Sequence, residues 1–260
     1  MLNIIRFQCL EDLLRRRAPE SIAQAESLKL AVVDPASADA ECCWSVIWNK
    51  PLFSATRTEL GERNVGRLAP LLNGAWADIG IPDGRYHISL LCRRRSFKPE
   101  DYLVRGALAQ NIRNNFNIAV HRMFAVQGGA VALRCWAAAN PATPCAALTT
   151  VRLPALVPQL QATLGPFWGP ITVMHLLTDL GLSCKPDRHL FRSVQALWID
   201  SKPPPGMPPT LDNLMRINAA VEALAVSLYG ASSPARLRYL DKVLMEISRM
   251  SLLEAPECAA

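Results

Sequence analysis

Along most of this chain apolar residues return at helical spacing, and each such run is cut by proline or glycine. That punctuation limits the fold more than any other feature. Short amphipathic helices bury their apolar faces only by packing helix on helix, so the expected class is all-α in the main. Residues 4–16 and 19–31 read as helices, and DPASADAE, from Asp34, reads as a loop. Residues 41–50, ECCWSVIWNK, are apolar enough to be buried, and two helical pieces follow Pro51. A short strand stays open only at 85–92, RYHISLLC, where β-branched and aromatic content is slight. Beyond Pro99 an amphipathic helix runs to Met123, with Leu103, Ala107, Ile112, Phe116 and Ala119 near one side. Gln127-Gly128-Gly129 reads as a turn before another helix, AVALRCWAAA, and NPATPC as a break. Residues 154–164 form the next helix. After Ile199 comes a stiff proline-rich connector, DSKPPPGMPP. Two helices close the chain. Thr210 caps the first, which Gly230 ends, and Ser233–Pro234 open the second, which runs to about Met250.

With 260 residues, half of them hydrophobic, the chain has ample material for one large domain or two intimate ones and is not a disordered protein. No apolar run is long enough to span a bilayer, and the N-terminal MLNIIRFQCLEDLLRRR lacks the core and cleavage site of a signal peptide. A cytoplasmic protein with no membrane partner is expected. The net charge of +6 and pI near 9.0 suit an anionic partner, nucleic acid first. None of the 8 cysteines forms a CxxC pair or a His/Cys spacing suited to zinc, and the neighbours Cys42 and Cys43 diverge on any regular element. Reduced, ordinary buried thiols are the expectation.

The densest chemistry lies in residues 164–192. LGPFWGPITVMHLL reads as helix, tight turn, helix, with Gly165 and Gly169 flanking the connection and Pro170 at the first helical position. Free backbone N–H groups at such a turn suit a phosphate. Leu180–Gly181 ends the second helix, SCKP is a short extended link, and Asp187 stands where a cap would stand for RHLFRSVQALW. Spacing alone favours an ordinary helix cap over a catalytic acid.

Taken together, residues 154–200 resemble the helix-hairpin-helix, Gly-Pro-rich loop and Asp signature of the base-excision DNA glycosylase superfamily that includes endonuclease III and adenine glycosylases. There the pattern is L-P-G-x-G-x-x-T-A, an apolar helix, then D-x-H-x-x-R. Here Gly169 and Thr172 match the second glycine and the threonine, and Asp187, His189 and Arg192 match D-x-H-x-x-R. The first glycine is displaced, because Gly165-Pro166-Phe167-Trp168-Gly169 is not P-G-x-G. Bifunctional members carry a lysine where this chain has Ile171, which cannot form a Schiff base, so no lyase activity is expected. The iron–sulfur cysteines of some relatives are missing, and no cofactor is implied.

The resemblance implies two helical lobes with an interlobe cleft: a barrel over 40–182 holding the hairpin (154–182), and a second lobe from 1–39 plus 183–260 carrying the acid. It implies a monomer acting on double-stranded DNA with a damaged or modified base. Asp187 would stabilise the sugar cation and align water, while Gly165, Phe167, Trp168, Gly169, Ile171, Thr172, Lys185 and Arg192 would contact DNA. The base would be extruded into a pocket, for which Trp48, Asn49, Lys50 and Phe53 are candidates. Packing is the favoured reading for Phe167, Trp168 and His189, and Trp48 stays open between packing and the pocket. The basic run CRRRSFK, 92–98, reads as a DNA track or a solvated loop. Ordinary repair and antiviral defence against hypermodified phage bases both remain open, beside a non-catalytic helix-hairpin-helix DNA-binding protein.

Overall fold

The computed structural model describes residues 2–54, 56–79, 120–199 and 210–258. The expected strand at 85–92, the basic run at 92–98, most of the helix after Pro99 and the proline-rich connector lie outside the described residues. In chain order the helices are α1 (Ile4–Arg17), α2 (Pro19–Leu30), α3 (Ala40–Ile47), α4 (Lys50–Phe53), α5 (Thr58–Leu72), α6 (Trp76–Ile79), α7 (Val120–Ala139), α8 (Leu153–Leu164), α9 (Pro170–Asp179), α10 (Arg188–Leu197), α11 (Leu211–Tyr229) and α12 (Pro234–Arg249). Among the described residues there is no strand, only an isolated bridge between Leu2 and Trp198. No helix among them is long and apolar enough to cross a membrane. The chain divides into two compact units, one of Met1–Val32 with Leu177–Ala260 and one of Val33–Leu176.

The unit that holds both chain ends is organised on α12. Ser233 accepts the Arg236 N–H at 3.3 Å and Pro234 occupies the first turn, so the helix starts where the sequence places it. α11 starts from Thr210, whose hydroxyl accepts the Asn213 N–H, and stops at Gly230 with φ +74°. Leu237, Leu240, Val243, Leu244 and Ile247 bury α12 against α2 and α10. Arg6 of α1 donates to Ala196 O (2.8 Å) and Leu253 O (2.9 Å), fastening the first helix to the last turns. Cys9 and Cys258 are joined in a disulfide, which corrects the expectation that every thiol is reduced. Their separation of 249 residues hides the pairing from any local spacing rule. Cys43, Cys145 and Cys184 are buried free thiols, and Cys42 and Cys135 are exposed.

The other unit is built around α7. Asp39 caps α3 by accepting the Cys42 N–H at 2.8 Å, and α3 buries Cys43, Trp44, Val46 and Ile47. The Trp44 indole N–H donates to Leu72 O at the end of α5. The expected turn at 127–129 is overturned: α7 is unbroken through Gln127, Gly128 and Gly129. The glycines serve close approach instead of chain reversal. A Cβ on Gly128 would lie 2.0 Å from Leu164 O, and one on Gly129 would lie 2.5 Å from Ile47 Cγ2. α7 thus sits almost backbone to backbone with the end of α8, at the point where the hairpin turn begins.

Candidate nucleic-acid interface and acid site

α8 ends at Gly165, whose φ of +84° needs no Cβ to avoid. The chain then turns through Pro166, Phe167, Trp168 and Gly169 into α9, which begins at Pro170. Trp168 is only 2 % exposed, and its indole N–H donates to Ala125 O at 2.8 Å. Gln161 Nε2 donates to Trp168 O at 3.2 Å, closing the turn onto α8. Phe167 faces outward, 51 % exposed, with φ +74°. Phe167 takes a left-handed conformation between Pro166 and the buried Trp168. Gly169 is exposed, with nothing within 4 Å of an added Cβ.

The DNA-contact candidates divide accordingly. Phe167 and Gly169 are at the surface, and Gly165 and Ile171 are half-buried. Trp168 is an anchor of the fold, and Thr172 is buried, with Oγ1 donating to Ser54 Oγ at 3.4 Å. Of the base-pocket candidates, Trp48 and Lys50 are buried. Asn49 donates Nδ2–H to Ser45 O at 2.9 Å, and Phe53 meets His175 edge-on at 5.8 Å between ring centres. Trp48 Nε1 and Asn49 Oδ1 are buried without a hydrogen-bond partner, as are both amide atoms of Gln127 in the same unit. Arg122 donates to Ser54 O at 3.0 Å and to Thr56 Oγ1, and burial lowers its pKa.

In the other unit, α9 ends in a glycine turn. Gly181 has φ +69°, and the Leu182 N–H returns to Leu177 O at 2.8 Å. A Cβ on Gly181 would lie 2.4 Å from Pro234 Cβ, so glycine is needed here for space as well as conformation. The link that follows is fixed to neighbouring helices through its backbone. The Cys184 N–H donates to Asn218 Oδ1 of α11 (2.8 Å), and the Lys185 N–H to Asp241 Oδ1 of α12 (2.7 Å). Asp187 then caps α10, its Oδ1 accepting the N–H groups of His189 (2.9 Å) and Leu190 (3.1 Å). Its Oδ2 lies 3.5 Å from Lys185 Nζ, and the side chain is 21 % exposed. The carboxylate thus has one oxygen committed to the helix start and the other beside a cation at the edge of solvent. His189 Nδ1 lies 3.3 Å from Ser248 Oγ of α12, while Arg192 is exposed.

Beneath this link lies an ionic group that the spacing of D-x-H-x-x-R does not reveal. Arg238 donates to Asp241 Oδ2 at 3.0 Å and pairs with Asp179 at 2.9 Å. Burial pushes the Asp241 carboxyl up to about 6, against the opposing pull of Arg238 and the Lys185 N–H. The signal available in sequence was RLRYLDKVLME: Arg238 and Asp241 stand three apart on one face of a helix that also carries Lys242 and Glu246.

No family model, no curated protein and no solved structure matches the chain.

Proposed function

We propose that this chain is a monofunctional DNA N-glycosylase acting on a damaged or modified base in double-stranded DNA, hypermodified phage bases included. Water adds at C1′ of the sugar, the base leaves with the electron pair of the N-glycosidic bond, and an abasic site remains. Asp187 stabilises the positive charge that develops on the sugar and orients the water. The turn at 165–169 and the first turn of α9 receive a phosphate, since helix starts carry N–H groups without helical partners. Ile171 offers no amine for a lyase step.

The setting of Asp187 carries this reading. Its carboxylate is rigidly held by two N–H bonds yet keeps a second oxygen near solvent beside Lys185.

The test is mass-spectrometric detection of free bases after incubation with genomic DNAs from damaged cells and from phages with modified bases. Asp187→Asn keeps the capping oxygen and removes the charge. Base release should fall by roughly 10²- to 10⁴-fold, with DNA affinity preserved. Equal release by the two proteins removes Asp187 from the chemistry. Binding without release by either makes the chain a non-catalytic DNA-binding protein, and the absence of salt-dependent DNA binding removes the nucleic-acid reading altogether.

A further inference from the structure

After α12 the chain reverses at Ser251, whose φ is +56°, and returns against α1 in two short 3-10 turns, Leu252–Glu254 and Pro256–Cys258. The two turns are held differently. Leu252 of the first is buried, and Leu253 O accepts from Arg6 at 2.9 Å. The second carries an ion pair between Glu257 and Arg17 at 2.7 Å, with both side chains largely solvated, and the disulfide from Cys258 to Cys9. An exposed ion pair contributes little, so the covalent bond is what keeps the second turn on α1. The helix does not need that bond in return. Asn3 caps it, the Asn3 N–H donates to Leu197 O at 2.8 Å, and Arg6 donates to Ala196 O at 2.8 Å. Phe7, Leu10, Leu13 and Leu14 bury its inner face.

We infer that the Cys9–Cys258 bond is a redox-operated clasp: its reduction releases the turn Pro256–Cys258 from α1 and leaves the helices of that unit in place. Cys258 is buried but Cys9 is half-buried, so one sulfur is within reach of a thiol in solution. The other described cysteines are free thiols, so oxidation is confined to the pair that joins the two chain ends. The thiolate of a small thiol such as glutathione attacks the Cys9 sulfur, the S–S bond breaks, and Cys258 leaves as thiolate. A second small thiolate then attacks the mixed disulfide on its own kind of sulfur, and Cys9 leaves. Two protein thiols form on protonation, and the two small thiols depart joined as their disulfide. The reverse exchange closes the clasp. On opening, Glu257 departs from Arg17, which leaves the basic last turn of α1, Arg15–Arg16–Arg17, more cationic. None of this depends on the DNA reading.

The experiment equilibrates the full chain with glutathione at graded ratios of thiol to disulfide. After acid quenching and alkylation, peptide mass spectrometry reads the fraction of Cys9 joined to Cys258 at each ratio. Far-UV circular dichroism follows the helices, and a glutamate-specific protease follows the turn through its cut after Glu257. The bond should open and re-form reversibly along the series. On opening, helicity should be retained, while the cut after Glu257 accelerates at least ~10-fold. Tm should fall by roughly 10 °C, because the unfolded chain loses a cross-link that closes a long loop. Cys258→Ser and Cys9→Ser should be cut at the fast rate in every buffer. A bond that resists glutathione until denaturant is added overturns the inference. So does loss of helicity on reduction, which makes the bond a staple of the whole unit. Equal cutting of the oxidised and reduced chains overturns it as well, because the turn then stays on α1 without the bond. Should either serine variant fail to fold, the natural chain in the reducing buffers decides by the same readouts.

Discussion

The turn at 165–169 and the link at 183–187 are both short, proline-containing connections between helices, but they are held by different means. The turn is fixed by close packing together with the two hydrogen bonds of Trp168. Trp168 fills the space against α7, and Gly128 lets the end of α8 come within reach of the α7 backbone. The link is fixed by charge and hydrogen bonds, with Asn218 and Asp241 accepting its N–H groups and Arg238 holding Asp241. The difference matches what each segment is proposed to do. In the turn the Gly165 N–H returns to Gln161 O, and the hydrogen bonds of Trp168 are made by its carbonyl and its indole. Polar anchoring consumes the N–H groups of a link and leaves a carboxylate with a fixed orientation.

Substitutions in each segment break this contrast in different ways. The largest effect belongs to Gly128→Ala, because the added carbon would meet a backbone oxygen at 2.0 Å. A loss of about 4 kcal/mol is expected, read as a fall of roughly 10 °C in Tm. An unchanged Tm would show that backbone proximity does not hold the hairpin. Trp168→Phe keeps an aromatic ring but loses volume and the bond to Ala125 O. Chemical denaturation should register a loss of about 2 to 3 kcal/mol, and a near-neutral result would reassign the anchor to the glycines alone.

On the polar side, the sharpest probe is pH. The pKa of Asp241 is raised from its ordinary 3.8 to about 6 by burial, so the folded chain holds that proton more tightly than the unfolded chain. Its contribution to stability is fully present below about pH 4 and is lost as pH rises through about 6, on the order of 3 kcal/mol in all. Arg238, Lys185 and Asp187 face the same group and modulate the slope. Denaturation midpoints of the natural chain and of Asp241→Asn, compared from pH 4 to pH 7, should converge at one end and separate at the other. Parallel curves would remove Asp241 as the titrating group. The smallest effect is expected at Asp187. Replacement by Ala removes the cap and should cost about 1 kcal/mol, whereas Asn keeps the acceptor and should leave Tm nearly unchanged. A large stability loss with Asn would mean that the charge serves the fold, and not the reaction.

Much of the helical layout was legible because its determinants are local. Asp187, Thr210 and Ser233–Pro234 begin their helices, and Gly181 and Gly230 end theirs, since a cap depends only on residues within one turn of it. The hairpin register was less legible. Phe167 is left-handed where the letters hold no glycine, and sequence gives no direct access to φ. Gly128-Gly129 misled for a related reason. Two glycines in a row signal a turn unless a neighbouring helix needs their bareness, and that neighbour, α8, lies well downstream.

Local sequence alone thus determined where helices start, where several of them stop, and which carboxylate heads α10. Tertiary structure decided which of two adjacent aromatics is buried, that Asp241 lies under the acid link, and that Cys9 is joined to Cys258. The physical reason is range. Caps and periodicity act over a few residues of one chain segment, while burial, ion pairing and disulfide choice depend on what the folded chain brings alongside.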